Sequence, residues 1–246
     1  MQQPIVYKSI IRDFYRRAVG QGDIAFADAI IAEDYSQHSR GMKPGKAGVL
    51  EALRAMKNAP RPATPSTPFM RLVAEGEYVV TNLSFDWGGK QKVVVDLFRF
   101  RDGQVAEHWD VVEDAPEATL NGHALMDGTA PLGEPTLTAE NKPRATAFYQ
   151  RVFIERDRTA LPHLVSENLI QHIPEIANGL AGLEDFLKQS APAFCVEKIH
   201  RIIAEGDFVV FQSEGQWAQQ ATHFFHIFRL SVGKIQEQWG VKQRIS

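Results

Sequence analysis

Two aspartates and a histidine fall close together in the segment VVVDLFRFRDGQVAEHWDVVE, as Asp96, His108 and Asp110. A carboxylate among apolar strand residues is costly to bury unless it is paired. Inside an apolar cavity its pKa would rise toward the range useful to a general base. Two neighbouring carboxylates can also share a proton and so divide the acid and base roles. An adjacent imidazole can relay that proton. Each residue has a plainer reading. Asp110 is then a structural acceptor, Asp96 an ion-pair partner of an arginine such as Arg71, and His108 a half-buried strand histidine. His38, in the dipeptide Gln37-His38, is the fourth candidate catalytic side chain. By ligand type these four would suit zinc, but no helical HxxxH or thiolate spacing supports a metal, and none is expected. Gly45 and Gly48 lack both the preceding strand and the Gly-Lys-Ser/Thr ending of a phosphate loop, so they are read as shaping the entry to a helix.

The elements that would position these groups form a hairpin over Lys92–Val112, turning at Arg101-Asp102-Gly103. A three-residue loop with Gly103 in the left-handed region would set Asp96 opposite His108 and Val94 opposite Asp110. A two-residue Asp-Gly loop would instead set Asp96 opposite Trp109. The first sorts the residues better. One face then carries Val93, Val95, Leu97, Arg99, Val105, Glu107, Trp109 and Val111. The other carries Val94, Asp96, Phe98, Gln104, His108 and Asp110.

The chain is written twice. Arg71–Val80 (RLVAEGEYVV) returns 130 positions later as Arg201–Val210 (RIIAEGDFVV), and at that offset all four tryptophans fall into matched pairs. Earlier in the chain the offset is 134, pairing Phe14-Tyr15 with Phe148-Tyr149 and Gln37-His38 with Gln171-His172. A period of that size denotes a duplicated domain rather than a solenoid. The expected organisation is a first domain over 1–115, a Pro- and Gly-rich linker over 116–142 and a second domain over 143–246. Each copy reads as helices followed by strands, an α+β domain. Helices are expected over Tyr7–Val19, Ile24–Ala32 and Val49–Met56, and over Arg144–Glu155, Ala160–Val165 and Leu183–Gln189. Pro143 would stand at the start of its helix. Positions that differ between copies are candidates for function. Asp96, His108 and Asp110 become His226, Gln238 and Gly240, so the second copy has lost most of the acid/base set.

Composition bounds the remaining choices. The chain has 246 residues, a net charge of −3 and one cysteine, Cys195. No basic stripe suggests nucleic acid, no internal disulfide can form, and no apolar run approaches a membrane span. The N-terminus has no signal-peptide pattern. A cytoplasmic protein is expected.

The Gln-His dipeptide, the glycine pair and the VVDLFRFRDGQVAEHWDVVE run closely resemble the SnoaL-like polyketide-cyclase branch of the nuclear-transport-factor-2-like superfamily. The resemblance covers both copies. It implies two tandem cones, each a strongly bent antiparallel sheet around about three helices enclosing a ligand pocket. It implies that the copies pair as an intramolecular pseudo-dimer, with further homo-oligomerisation open. It also implies that Asp110 is the acid/base residue, beside Asp96 where the family often has histidine. The expected function is a cofactor-independent acid/base enzyme acting on a small apolar carbonyl compound by aldol-type cyclisation, isomerisation or a related step. Trp87, Phe98, Val94, His172 and His226 are expected to line ligand pockets. The alternative is a non-catalytic binding or assembly module with the same fold.

Overall fold

The computed structural model describes residues 3–57, 70–87, 89–190 and 193–245, apart from the side chains of Met70 and Trp87. Each copy follows one order of elements. The first has α1 (Gln3–Asp13), a π-helical continuation (Phe14–Val19), α2 (Ile24–Ile30), β1 (Ile31–Gln37) and α3 (Gly45–Lys57). Strands β2 (Met70–Glu75), β3 (Tyr78–Trp87), β4 (Lys90–Arg101) and β5 (Gln104–Asp114) follow. The second has α4 (Thr138–Phe148), a π-helical continuation (Tyr149–Ile154), α5 (Leu161–Leu164), β6 (Val165–Gln171) and α6 (Gly179–Gln189). Its strands are β7 (Phe194–Glu205), β8 (Phe208–Trp217), β9 (Gln220–Ser231) and β10 (Lys234–Arg244).

Each copy forms its own five-stranded sheet, β1-β5-β4-β3-β2 and β6-β10-β9-β8-β7. The sheets are mixed. Strands β1 and β6 pair in parallel with β5 and β10, beside an antiparallel meander. The sequence reading missed these edge strands because IAEDYSQ and VSENLIQ carry too little alternation to stand out from the preceding helix.

Helix ends follow local chemistry. Asp23 accepts from the Phe26 amide at 3.0 Å and caps α2. The glycine pairs open α3 and α6, as expected. Gly45 and Gly179 take positive φ values of 72° and 83°. A Cβ on Gly48 or Gly182 would strike the Lys43 or Ala177 carbonyl oxygen at 2.2 or 2.3 Å. The first glycine of each pair thus supplies a left-handed turn and the second a close backbone approach. Pro143 departs from expectation. The helix begins at Thr138, so the proline lies inside α4 and cannot donate to the preceding turn.

The hairpin also departs from the favoured reading. Its loop is the two-residue turn Asp102-Gly103, with φ of 53° and 82°, matched by Val232-Gly233 at 49° and 73°. Positive φ at both positions is the twist-compatible hairpin turn. In the second copy a bulge then shifts the ladder between Ile235 and Glu237, so that Gly240 pairs with His226 and Gln238 with Phe228. The far end of the first hairpin keeps the equivalent register, with the Ala115 amide donating to the Gln91 carbonyl at 2.9 Å. Carried along β4 and β5, that register sets Asp110 across from Asp96. Val105 and Ile235 consequently turn inward to the cores containing Phe98 and Phe100, and Phe228 and Leu230. The expected hairpin instead groups Val105 with Trp109, on the face opposite Asp96. A bulge inserts one residue and reverses the alternation beyond it, which a strict period of two does not anticipate.

Candidate active site

In the first copy the inward face of β3, β4 and β5 carries a connected polar group. Asp96, buried on β4, accepts three hydrogen bonds. Tyr15 donates to Oδ2 at 2.6 Å, Thr81 donates to Oδ2 at 3.1 Å, and His108 Nε2 lies 2.9 Å from Oδ1. A carboxylate only accepts, so Nε2 carries the hydrogen that points to it. On the other side of the ring, Nδ1 lies 3.0 Å from Gln37 Oε1 and 3.2 Å from Ser39 Oγ. Tyr35 donates to Gln37 Oε1 at 2.5 Å. Ser39 can donate to a bare Nδ1, and Gln37 Oε1 can accept from a protonated one. Nδ1 therefore has a hydrogen-bond partner in either state, Ser39 when bare and Gln37 when protonated.

Ser39 also hydrogen-bonds Asp110, which joins Asp110 to the chain Ser39–His108–Asp96. Asp110 is half-buried. Burial pushes its carboxyl above the usual range. The positive field of His108 and the Ser39 hydrogen bond pull it down, and the Asp96 charge raises it. Burial, with the Asp96 charge and hydrogen bond, pushes the Tyr15 hydroxyl well up, so it stays a donor at neutral pH. Burial and the charges of Asp110 and Asp96 do the same for Tyr35. Phe98 supplies the apolar wall, its ring centred 4.6 Å from that of His108, and Phe14 stands edge-on to Tyr15 at 5.6 Å. Val94 is buried on the same strand as Asp96.

The structure thus brings Asp96, His108 and Asp110 together but leaves His38 out. The His38 ring stacks on Trp109 at 4.7 Å, and its Nε2 meets Glu107 at 3.2 Å. Glu107 also pairs with Arg99. The second copy repeats this arrangement. His172 stacks on Trp239 at 4.9 Å and meets Glu237 at 3.0 Å, and Arg229 donates to Glu237 at 2.8 Å. A cluster kept in both copies belongs to the fold, so His38 and His172 do not line a pocket with the acids. The four-residue zinc set is not assembled either. His226 is buried in the second core. Its Nδ1 is 2.8 Å from the Tyr149 hydroxyl, and burial followed by the Lys242 charge pushes its pKa down to about 3. The Trp87 side chain lies outside the described residues.

Tyr15, Tyr35, Gln37, Ser39 and Thr81 were not singled out as site residues from the sequence; Tyr15 and Gln37 recur unchanged as Tyr149 and Gln171, but for the other three the duplication carries the signal. Tyr35, Ser39 and Thr81 correspond to Leu169, Ile173 and Phe211. These polar-to-apolar exchanges lie outside the hairpin, on or just after β1 and on β3. In the second copy those exchanges fill the interior. Phe211 stacks on Tyr149 at 4.1 Å, and a Cβ on Gly240 would meet Ile173 at 2.9 Å. Tyr149 is fully buried, whereas Tyr15 is only half-buried.

The model of the SnoaL-like domain matches residues 11–108 and again residues 145–238. The chain belongs to the SnoaL-like domain family. Two SnoaL-like domains account for most of its length, and the α+β class and tandem duplication expected from the sequence hold. Among curated proteins none matches. Solved structures similar to this chain include an NTF-2 like protein of unknown function from Burkholderia xenovorans. It is 22% identical, covers 46% of this chain and 87% of its own, and has a TM-score of 0.38. A proposed polyketide cyclase from Acidithiobacillus ferrooxidans is 16% identical over 43% and 89%, with a TM-score of 0.36. An LEH-like epoxide hydrolase from M. tuberculosis is 19% identical over 45% and 85%, with a TM-score of 0.37. Among the described residues, no helix of this SnoaL-like chain is long and apolar enough to cross a membrane.

Proposed function

We propose that the first SnoaL-like domain is an acid/base catalyst acting on a small, largely apolar carbonyl compound. The observation that carries this reading is the continuous chain Asp110–Ser39–His108–Asp96, closed at its far end by Tyr15 and Thr81. Asp110 is the member with raised basicity and partial access. It takes a proton from the carbon beside the carbonyl, and the carbonyl oxygen gains charge as that bond breaks. The donor proposed for that oxygen is the Tyr15 hydroxyl, which would turn its single hydrogen from Asp96 to the substrate. Once neutral, Asp110 can donate to the Ser39 oxygen, while Ser39 gives its own hydrogen to the bare Nδ1 of a neutral His108, so that no further proton leaves the chain. Asp96 acts as the acceptor that orients the imidazole, held by His108 at one oxygen and by Thr81 at the other when Tyr15 turns to the substrate. The resulting enolate can attack a second carbonyl, giving an aldol-type ring closure, or be reprotonated at another carbon, giving an isomerisation.

The second domain supports a different role. With Ile173, Phe211 and Gly240 replacing Ser39, Thr81 and Asp110, it has an aromatic core where the first has polar groups. We read it as a non-catalytic partner domain. Asp110→Asn tests the reading for the first domain. Turnover of a bound ketone should fall at least about a hundredfold, the scale of general-base assistance, while ligand affinity stays within a factor of three. Unchanged turnover in the variant would remove Asp110 from the mechanism.

A further inference from the structure

The second domain carries a group of ligating side chains that neither the duplication nor the acid/base reading uses. His200 on β7, Glu214 on β8 and His223 on β9 lie side by side across three strands, their ligating atoms all within 4.8 Å of one another. Glu214 and His223 are direct cross-strand partners. His200 Nε2 already meets Glu214 Oε2 at 2.9 Å. We propose that these three residues form a divalent-metal site suited to Zn2+.

Local backbone structure supports a built arrangement. The β7–β8 ladder shifts register between Ile199 and Arg201, leaving His200 as the inserted residue. In the first copy the equivalent residue, Met70, pairs with Leu83 in unbroken register. Among the described residues the first copy shows no such bulge, and bulges commonly re-aim one side chain. The ligands are particular to the second domain, since the first copy has Met70, Ser84 and Val93 at these positions. Two imidazoles and one carboxylate are a recurrent zinc set that leaves a fourth position for water. Bonds of about 2.1 Å in tetrahedral geometry place ligand atoms about 3.4 Å apart. The group reaches that spacing by small side-chain rotations once His200 releases its hydrogen bond to Glu214. His223 is exposed, so an ion has a route in. The nearby cation Arg201 is engaged with Gln212 at 2.8 Å. A bound ion would tie β7, β8 and β9 together.

The test is a titration of the metal-free full chain with Zn2+ against a chromophoric chelator. One equivalent should bind. His223→Ala, at an exposed position with little bearing on folding, should weaken binding at least tenfold, as should the near-isosteric Glu214→Gln. His38→Ala is the control for binding by an accessible histidine elsewhere, and it should leave the titration unchanged. Absence of stoichiometric binding, or equal binding by the His223 and Glu214 variants, would overturn the site.

Discussion

Returning the missing acid to the second domain, as Gly240→Asp, should destabilise it rather than create a second catalytic centre. A Cβ at Gly240 would stand 2.9 Å from Ile173 Cδ1, 3.0 Å from its Cγ1 and 3.1 Å from His226 Cδ2. Overpacking of that kind costs about 1–3 kcal/mol. The new carboxyl would enter a space lined by Ile173 and His226, and an unpartnered buried polar group adds about 1–3 kcal/mol. A total near 4 kcal/mol is a large share of a domain's stability. Ile173→Ser alone removes buried apolar contact and should cost about 2–5 kcal/mol. The pair Ile173→Ser with Gly240→Asp restores the first domain's combination of Ser39 and Asp110. It should therefore cost at least about 1 kcal/mol less than the two single changes together. A two-domain chain need not unfold in one step, so amide exchange on β10, rather than a global signal, should report the second domain. Gly240→Asp within about 0.5 kcal/mol of the parent, or strictly additive costs, would refute the reading of a filled interior.

Three further outcomes follow from the same geometry. Burial works to raise Glu237, but hydrogen bonds from His172, Arg229 and Thr129 outweigh it and hold the carboxyl at about 2, below its ordinary 4.5. A depressed carboxyl stabilises fully above its unfolded value, so about 3 kcal/mol should be lost as pH falls from about 4.5 to about 2. Glu237→Gln should flatten that acid limb in unfolding experiments on the second domain. Gly128 has φ of 89°, and a Cβ there would fall 2.0 Å from Glu237 Oε1 and 2.7 Å from His172 Nε2. Gly128→Ala should lower second-domain stability by more than about 1 kcal/mol in urea titrations. Asp110 has the opposite sign from Glu237. Its folded value is raised, so its ionisation costs stability as pH rises from 3.8 through that value. Asp110→Asn should be at least as stable as the parent at pH 7, with the difference fading below pH 3.8.

The duplication made much of this legible. Matched tryptophans, paired glycines and the helix-to-strand order gave the two α+β domains, because burial and turn geometry constrain those residues in both copies. Asp96, His108 and Asp110 were readable as a group because all three change together in the second copy. The register between them was not. A two-residue turn followed by a bulge moves Val105 inward and sets Asp110, not Val94's partner, across from Asp96, and neither feature leaves a periodic trace. His38 misled for a different reason. Its recurrence as His172 was the sign of the outer His–Glu–Trp cluster, whose members are separated by some seventy positions and meet only when β1 pairs with β5. The linker shows the same limit. Its turn residues mark a connection, but Asn121 donates to the Ile173 and Ile176 carbonyls at 2.8 and 3.0 Å. Trp239 Nε1 donates to the Asp127 carbonyl at 2.8 Å, so the segment is bound to the second domain along its length.

Proton exchange at carbon tests the central claim most directly, because it needs only the first chemical step. The full chain would be incubated in deuterated buffer with small cyclic ketones and diketones that saturation-transfer NMR shows to bind, and the loss of the α-proton signal followed. The account predicts exchange that rises with pH through an elevated carboxyl value and is abolished in Asp110→Asn, with binding retained. Exchange of equal rate in Asp110→Asn, or bound ketones that never exchange with the parent protein, would contradict it.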